Sequence, residues 1–147
     1  MKVKECMCSQ VSCVNPNTSL NDVAQIMQQQ HVGCIPVCDQ NKNVVGLVTD
    51  RDIVLRGVAC QKDAKTTPVS EVMTTRVYTV APDADISEAS KIMCDYQVKR
   101  IPVIENEIVV GIITLGDLAN NTQVNGTQVY TTVEGICKCG ENTKNNQ

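Results

Sequence analysis

The sequence predicts an α+β fold in which two copies of a β-α-β-β-α unit pack together as a pseudo-two-fold pair. An internal duplication and a regular alternation of short apolar runs with amphipathic stretches support this prediction. The length of 147 residues, 42% of them hydrophobic, fits two small units that share a buried core. Because a unit of about 50 residues buries too little surface to be stable alone, we expect the copies to pack face to face.

The duplication is visible when the sequence is compared with itself. A shift of 66 residues aligns residues 3–37 with residues 69–103 without a gap. One residue is then lost in a turn, and at a shift of 65 the match resumes from Val44/Val109 to Asp52/Asp117. Prolines, glycines, threonines and acids recur together in register, which indicates a true duplication.

Each copy has the same predicted order of elements. A short strand (11–14; 77–80) ends at a proline turn, and a helix then opens at a capping residue, Ser19 or Asp85. Two strands joined by a polar turn follow, at 34–38 and 44–49 in the first copy and at 101–104 and 108–114 in the second. A last helix, over 50–58 or 115–121, is entered through Thr-x-x-Asp.

The domain organisation follows from the repeat. The sequence predicts a first motif at 1–58, a linker at 59–68, a second motif at 69–121 and a tail at 122–147. The tail is rich in Asn, Gln and Thr and shows no apolar period, so we expect it to be disordered.

Composition argues against several functional classes. The net charge is −3, the pI is about 5.1, and the only aromatic residues are three tyrosines, so nucleic acid is not expected as a direct partner. The apolar runs are too short to span a membrane, and the N-terminus does not resemble a signal peptide, which predicts a cytoplasmic protein. No Ser-His-Asp set, Walker loop or His-rich cluster is present, so we do not expect an enzyme.

Nine cysteines are many for a chain of this length. Their odd number and the expected compartment argue against a disulfide framework, and we expect small buried hydrophobic residues. The alternative is a thiol-based redox or metal sensor. Cys6-x-Cys8 with Cys137-Lys138-Cys139 could form a four-thiolate site if the chain ends meet, although we predict no metal site. The single histidine, His31, is expected to be a polar residue at the end of a helix.

The Thr-x-x-Asp segments are the strongest candidates for ligand binding. A carboxylate such as Asp52 or Asp117 could accept hydrogen bonds from both hydroxyls of a ribose cis-diol. The hydroxyls of Thr49 and Thr114 and the free helix N–H groups could hold a sugar or phosphate oxygen. The alternative is simple helix capping. Because the pattern occurs at the same place in both copies, we favour the recognition of a ribonucleoside.

The order of these elements resembles the CBS (cystathionine β-synthase) motif. That motif has a strand, a proline turn, a helix, a strand with a hydrophobic residue followed by Pro-Val, a strand with Val-Val-Gly, and Thr-x-x-Asp. The resemblance covers residues 3–119 and occurs twice. Tandem CBS pairs are regulatory segments of enzymes, channels and kinases, and free-standing bacterial proteins. The resemblance implies a regulatory module, with no required cofactor, that binds AMP, ADP, ATP or a related adenosyl compound in the clefts between its motifs. It would signal to an unknown protein partner by a conformational or oligomeric change.

The resemblance also implies roles for individual residues. Asp52 and Asp117 would hold ribose hydroxyls, beside Thr49 and Thr114, and Lys99 and Arg100 would meet phosphate. Four segments would wall the adenine: Cys13-Val14, Thr79-Val80, Ile35-Pro36 and Ile101-Pro102.

The first copy departs from this pattern and has Gly33 and Cys34 in place of the basic pair. Arg51 could compensate by reaching a phosphate, whereas Arg56 could form a helical ion pair with Asp52 or bind ligand. We therefore expect unequal sites. We also expect a homodimer, because the last helices carry apolar residues that would be only partly covered, namely Ile53, Val54, Leu55 and Leu118. The alternative is that residues 120–147, which include the tail, fold over those helices and keep the chain monomeric.

Overall fold

The computed structural model describes residues 1–138. It confirms an α+β fold with two two-stranded sheets. The helices and strands are α1 (Leu20–Gln30), β1 (Cys34–Cys38), β2 (Val44–Thr49), α2 (Asp50–Asp52), α3 (Ile86–Tyr96), β3 (Arg100–Glu105), β4 (Ile108–Thr114), α4 (Leu115–Asn120) and α5 (Gly126–Cys137). Helix α2 continues as a π-helical segment, Ile53–Val58, and short 3-10 turns lie at Val3–Glu5 and Val69–Glu71.

Two compact units make up the chain, and their boundaries differ from those of the repeats. Among the described residues, unit 1 contains Met1–Gln10, Tyr78–Glu105 and residues 110–138, whereas unit 2 contains Val11–Val77 and Asn106–Val109. We call residues 3–10 and 69–77 the opening segments of the two repeats. Each opening segment belongs to the unit that contains most of the other repeat.

Unit 2 is built around the antiparallel pair β1–β2, in which Cys34 pairs with Thr49 and Pro36 with Leu47. Single bridges extend this sheet on both sides, from Val37 to Val14 and from Leu47 to Thr74. Helix α1 begins at Ser19, whose hydroxyl accepts a hydrogen bond from Asp22 N. It buries its apolar face in the core of this unit, formed by Val14, Leu20, Val23, Met27, Ile35, Val37, Val48, Val69 and Val72.

Unit 1 repeats this plan around β3 and β4, with single bridges from Val103 to Val80 and from Ile112 to Cys8. The N-terminal cap of α3 is Asp85, which accepts a hydrogen bond from Ser87 N. The core contains Val3, Val80, Ile86, Ala89, Met93, Ile101, Val103, Ile113, Leu118, Val124 and Ile136.

The two predicted first strands are wrong in extent. Each is reduced to one bridging residue, Val14 or Val80, which pairs in parallel with β1 or β3. Val14 donates to Pro36 O and accepts from Cys38 N. A proline lies two residues further on, at Pro16 or Pro82, and it has no N–H with which the ladder could continue.

The opening segments are held by the same interactions in both units. Val3 N donates to Ala84 O at 2.9 Å, and its equivalent Val69 N donates to Thr18 O at 2.7 Å. Both valine side chains are fully buried. In unit 1 the exposed Asp83 carboxylate also binds Lys4 and Lys2, and their hydrogen bonds and charges lower its pKa to about 2.

Two aligned glycines allow the opening segments to approach the sheets. A Cβ atom at Gly111 would lie 2.5 Å from Met7 Sδ and 2.9 Å from Cys8 O. A Cβ atom at Gly46 would lie 2.6 Å from Met73 Sδ. The glycine in each V-V-G strand is therefore explained by close packing within its own unit.

Helix α5 contradicts the predicted disordered tail for residues 126–137. It packs on α3 and α4, and it buries Thr132 and Ile136. The buried Thr132 hydroxyl donates to Gln128 O at 2.7 Å, so a polar residue occupies a core position without an unpaired group. The remainder of the predicted tail, residues 139–147, lies outside the described residues. Within residues 1–138, the helices are all too short or too polar to cross a bilayer.

Substitution of Gly111 tests the close approach of the opening segment. Gly111→Ala should lower the free energy of unfolding by about 1–3 kcal/mol, because its methyl group overlaps Met7 and the Cys8 carbonyl. Gly126→Ala is the matched control, since its Cβ atom meets nothing within 4 Å, and it should be neutral or stabilising by up to about 1 kcal/mol. Urea denaturation measures both, and equal effects would contradict this packing.

Truncation of side chains on α5 tests whether this helix belongs to the core. Ile136→Ala should destabilise the protein by about 2–5 kcal/mol, because Ile136 is 4% exposed. Tyr130→Ala, at a residue that is 69% exposed on the same helix, should change stability by no more than about 0.5 kcal/mol. Thermal or urea unfolding that shows no difference between the two variants would indicate that α5 does not stabilise unit 1.

Candidate functional site

A reciprocal hydrogen-bonded cap forms where each V-V-G strand meets its helix. In unit 2, Thr49 Oγ1 accepts from Asp52 N at 3.1 Å, and Asp52 Oδ2 accepts from Thr49 N at 3.0 Å. In unit 1, Thr114 Oγ1 accepts from Asp117 N at 3.1 Å, while Asp117 Oδ2 accepts from Thr114 N at 2.7 Å and from the Thr114 hydroxyl at 2.8 Å. The capping alternative is therefore confirmed in both copies, with Thr49 and Thr114 as the capping residues.

Capping leaves part of each carboxylate available. Asp52 and Asp117 are half-buried, and each uses Oδ2 for the cap. Within residues 1–138, no donor is hydrogen-bonded to their Oδ1 atoms. A carboxylate oxygen can accept two hydrogen bonds, so each aspartate keeps capacity for hydroxyl donors while the cap fixes its orientation.

The basic pair of the second repeat lies beside the Asp117 cap. Leu115 N, the first N–H of α4, donates to Lys99 O at 2.9 Å, so the residues that lead into β3 contact the start of α4. Lys99 is exposed and Arg100 is half-buried. In the described part of the chain neither side chain forms an ion pair, which leaves two cations for an anionic group.

Unit 2 has the same backbone geometry with different side chains. Asp50 N donates to Gly33 O at 3.0 Å, as Leu115 N does to Lys99 O. Gly33 is followed by Cys34, which is buried. Arg51 is exposed on α2. Thus unit 2 has one exposed cation, Arg51, where β2 meets α2, whereas unit 1 has the pair Lys99 and Arg100 where β4 meets α4.

Arg56 does not form the predicted helical ion pair with Asp52. Its Nη1 atom donates to Val72 O at 3.2 Å and to Met73 O at 3.3 Å, so it ties the π-helical segment to the opening segment in unit 2. These carbonyls offer two acceptors at once, which explains why Arg56 turns away from the acid one turn earlier.

Most of the residues predicted to wall the adenine have buried side chains. Val14, Val80, Ile35 and Ile101 belong to the two cores and are at most 7% exposed, and Pro36 and Pro102 are also buried. Only Cys13 and Thr79 are exposed.

These two residues could offer backbone groups as well as side chains. Val80 directs its N–H and C=O to Pro102 and Ile104. Because successive peptide groups of an extended chain point in opposite directions, those of Thr79 point away from β3 and could meet a planar ring edge.

One difference between the two units escaped the sequence analysis. In unit 1, Tyr78 and Tyr96 stack with ring centroids 3.8 Å apart and an interplanar angle of 12°. The aligned residues in unit 2 are Ser12 and Gln30, which form a 2.6 Å hydrogen bond. Each pair connects the residue two positions before the bridging valine to the last residue of a helix. The signal in the sequence is that both positions differ between the repeats, tyrosine in the second copy and serine or glutamine in the first.

The cysteines differ from the expectation of uniform burial. Cys34 and Cys38 are buried, whereas Cys8, Cys13, Cys60 and Cys137 are exposed. Burial, followed by a hydrogen bond to Cys13, raises the pKa of Cys38 to about 12. Cys6 Sγ donates to Asp117 O at 3.5 Å, and burial raises its pKa.

No metal site is apparent among the described residues, where no group of three or more Cys, His, Asp and Glu side chains could hold an ion. The four-thiolate hypothesis includes Cys139, which lies outside those residues. His31 caps the end of α1 in the left-handed conformation with φ 54°, as Gln97 does for α3, so the expected helix-end position is confirmed.

Comparisons with known proteins identify the repeated unit. The family model for the CBS domain matches residues 3–58 and 69–122. The CBS domain-containing protein YhcV of Bacillus subtilis is 42% identical over 123 residues, which cover 84% of this chain and 86% of that protein.

Two solved structures are similar across most of the chain. Hypoxic Response Protein I, in a crystal structure with two coordinated zinc ions, has a TM-score of 0.75 and 34% identity, covering 82% of this chain and 98% of that one. A protein of the same name from Mycobacterium tuberculosis is 33% identical over 134 residues, 91% of this chain and 92% of that protein. The CBS domain pair of protein MJ0100, in complex with 5′-methylthioadenosine and S-adenosyl-L-methionine, has a TM-score of 0.73 and 25% identity, covering 81% and 97%.

Removal of the capping hydroxyls tests the geometry of both junctions. Thr49→Ala and Thr114→Ala should each lower the free energy of unfolding by about 0.5–2 kcal/mol, because the N–H of the aspartate loses its acceptor. Thr49→Ser and Thr114→Ser keep the hydroxyl and should retain most of that stability. If the serine variants were as unstable as the alanine variants in urea denaturation, the stabilisation would come from the methyl group and not from the cap.

Proposed function

The chain belongs to the CBS-domain family and is a CBS-pair regulatory module, and we propose that its ligand is an adenine nucleotide or a related adenosyl compound. The ligand would bind at the Thr-x-x-Asp junctions and change the conformation or assembly of the chain, which a protein partner would detect. The absence of catalysis and of nucleic-acid binding stays a prediction.

The observation that carries this proposal is the half-buried carboxylate at each junction. The cap holds Asp52 and Asp117 in one orientation, so no side-chain entropy is lost when a ligand binds. Oδ1 remains available for the two adjacent hydroxyls of a ribose. A hydrogen bond to a charged carboxylate contributes more than a neutral one, and a diol can donate two of them where an isolated hydroxyl donates one.

The adenosyl part of the proposal is supported by chemistry and by similarity. Backbone groups next to Val80 could pair with a purine edge, and exposed Thr79 adds a hydroxyl. MJ0100, which has a similar fold, binds 5′-methylthioadenosine and S-adenosyl-L-methionine. Both compounds carry the adenine and ribose that the two junctions could recognise.

Phosphate selectivity should differ between the junctions. Lys99 and Arg100 lie beside the Asp117 cap, whereas Gly33 and Cys34 occupy the aligned positions beside the Asp52 cap. Charged phosphates should therefore prefer the Asp117 junction, and an adenosyl compound without phosphate should discriminate less. Arg51 could reduce this difference.

Ligand titration tests the role of the ribose. AMP, ADP or ATP should raise the melting temperature, and each 2′-deoxy analogue should bind less tightly because it lacks one donor to the carboxylate. Asp117→Asn should cost about 1.5–3 kcal/mol of binding if that junction is occupied, since the amide replaces charge-assisted hydrogen bonds with neutral ones. A ligand at 100 times its Kd would add about 2.7 kcal/mol of stability, which thermal unfolding readily detects.

Asp83→Asn is the matched control for Asp117→Asn. Asp83 lies in the same unit but binds Lys2 and Lys4, so its replacement should leave nucleotide affinity unchanged. Equal affinity for ribo and deoxy ligands, or an equal loss in both variants, would remove the proposed role of the aspartates. Two identical, independent sites in calorimetry would contradict the unequal junctions.

The proposed assembly is a homodimer that uses the π-helical segment of unit 2. Val54, Leu55 and Val58 are 54%, 47% and 68% exposed, and together they form an apolar patch. Leu118 was predicted to be partly covered too, but it is fully buried, which corrects that expectation. Closed two-fold pairing is the commonest way to cover such a patch.

Light scattering tests this assembly. Val54→Lys should convert the dimer to a monomer, because it places a charge in the apolar contact. Val133→Lys, at an apolar residue that is 38% exposed on α5, is the control and should remain dimeric. A wild-type chain that stays monomeric at all concentrations would rule out the dimer.

A thiol or metal sensor is the second candidate function. Hypoxic Response Protein I coordinates two zinc ions, and four cysteines among residues 1–138 of this chain are exposed. The described residues contain no cluster of three or more potential ligands, so the metal version has less support than the adenosyl ligand. Metal analysis of protein purified without chelators separates the two candidates.

A further inference from the structure

Cys13 and Cys38 are two cysteines of unit 2 that lie on neighbouring backbone segments. Because side chains alternate along extended segments, Cys13 and Cys38, the neighbours of the bridged Val14 and Val37, lie on the same side of that bridge, and Cys13 contributes to the raised pKa of Cys38. Cys13 precedes the bridging Val14, and Cys38 follows its partner Val37 at the end of β1. Cys38 N donates to Val14 O at 2.8 Å, so the two backbone segments are joined directly beside the thiols.

The two thiols differ in accessibility. Cys13 is exposed, whereas Cys38 is 7% exposed. A solvent oxidant therefore reaches Cys13 first, and the buried Cys38 is placed to react with the product. This combination of an accessible thiol and a neighbouring resolving thiol is typical of reversible cysteine oxidation.

We propose that Cys13 and Cys38 form a peroxide-sensitive dithiol, whose oxidation to a disulfide ties the segment at Cys13 to the end of β1. In the first step, hydrogen peroxide takes two electrons from the Cys13 thiolate, giving a sulfenic acid and, after protonation, water. In the second step, Cys38 sulfur attacks the Cys13 sulfur, the S–S bond forms, and the sulfenic hydroxyl leaves as a second water with the Cys38 proton.

The backbone around Cys38 allows the sulfurs to approach. A disulfide requires an S–S distance of about 2.05 Å, so the two sulfurs have to move closer than a non-bonded contact. The β1–β2 register shifts between Val37 and Cys38, so regular pairing is already interrupted there. The strand end can therefore adjust without breaking the pairs from Cys34 to Val37.

Oxidation would act on ligand binding in unit 2, and this consequence rests on the proposed function. Cys13 is one of the two exposed residues predicted to wall the adenine, and β1 carries Ile35 and Pro36. The aligned residues in unit 1 are Thr79 and Ile104, which cannot form a disulfide. The redox response would thus belong to unit 2 alone.

The pH dependence follows from the environment of Cys38. Burial and the hydrogen bond to Cys13 hold the pKa of Cys38 near 12, so its thiolate is scarce at neutral pH. Oxidation converts the Cys13 thiol, whereas burial and the charge of Asp39 continue to raise the pKa of Cys38. Closure of the disulfide should still accelerate with pH, by up to about tenfold per unit, because the attacking thiolate becomes more abundant.

Disulfide mapping of the full chain tests the proposal without any nucleotide. Reduced protein is treated with hydrogen peroxide, alkylated, digested without reductant and analysed by mass spectrometry. The Cys13–Cys38 peptide should be the main intramolecular disulfide, and dithiothreitol should reverse it. Cys13→Ser should abolish every disulfide of Cys38, whereas Cys60→Ser, at another exposed cysteine, should leave the Cys13–Cys38 link unchanged.

Two results would overturn the proposal. One is a Cys13 that reaches sulfinic acid while Cys38 stays reduced. The other is a Cys38 that, in Cys13→Ser, forms a disulfide with a different cysteine to the same extent. Nucleotide binding is measured separately before and after oxidation. A mapped disulfide in a protein that binds no adenine nucleotide would support the dithiol and refute the proposed function.

Discussion

The hydrogen bond from the backbone N–H of Thr114 to the Asp117 carboxylate, repeated between Thr49 and Asp52, is the constraint on which the proposed site depends. It marks where each V-V-G strand ends and where each helix begins, and it satisfies N–H groups that a helix start leaves unpaired. The same bond fixes a half-buried carboxylate with one free oxygen. Capping and ligand recognition are therefore compatible roles of one residue.

The duplication supplies two copies of this junction within similar cores, and the differences between them give each its own chemistry. Val3 and Val69 anchor the opening segments in the same way, and Gly111 and Gly46 make room for them. Around that common frame, unit 1 carries a basic pair and stacked tyrosines. Unit 2 carries a dithiol, a Ser–Gln hydrogen bond and an exposed apolar patch. Under the proposed function, these differences would let the two junctions respond to different signals.

Much of this fold could be predicted from sequence because strong local rules coincide with the repeat. The second hairpin strands match the structure at both ends, since a glycine-containing apolar run leads directly into a capping threonine. The bodies of α1 and α3 follow from their caps and their apolar period. The junction residues were predicted for the same reason, because Thr-x-x-Asp is both a cap and a candidate site.

The remaining features depend on tertiary contacts that a single sequence does not display. Helix α5 was missed because a threonine occupies a buried position and a glycine, Gly135, lies against Cys94 where an apolar residue would have signalled a core face. The bridging residues Val14 and Val80 suggested longer strands, since their apolar neighbours fit the pattern without pairing. The contact between Cys13 and Cys38 joins positions 25 apart, which spacing alone does not reveal.

Amide NMR spectra of the full chain, recorded during a titration with AMP, ATP or S-adenosylmethionine, test the central claim most directly. The N–H groups of Thr114 and Asp117, with those of Thr49 and Asp52, report on the caps themselves. The account predicts that at least one of these ligands shifts the cap amides, with larger changes for the phosphorylated ligands at Thr114 and Asp117. Saturable shifts confined to other parts of the chain, or no shift with any adenosyl compound, would contradict it.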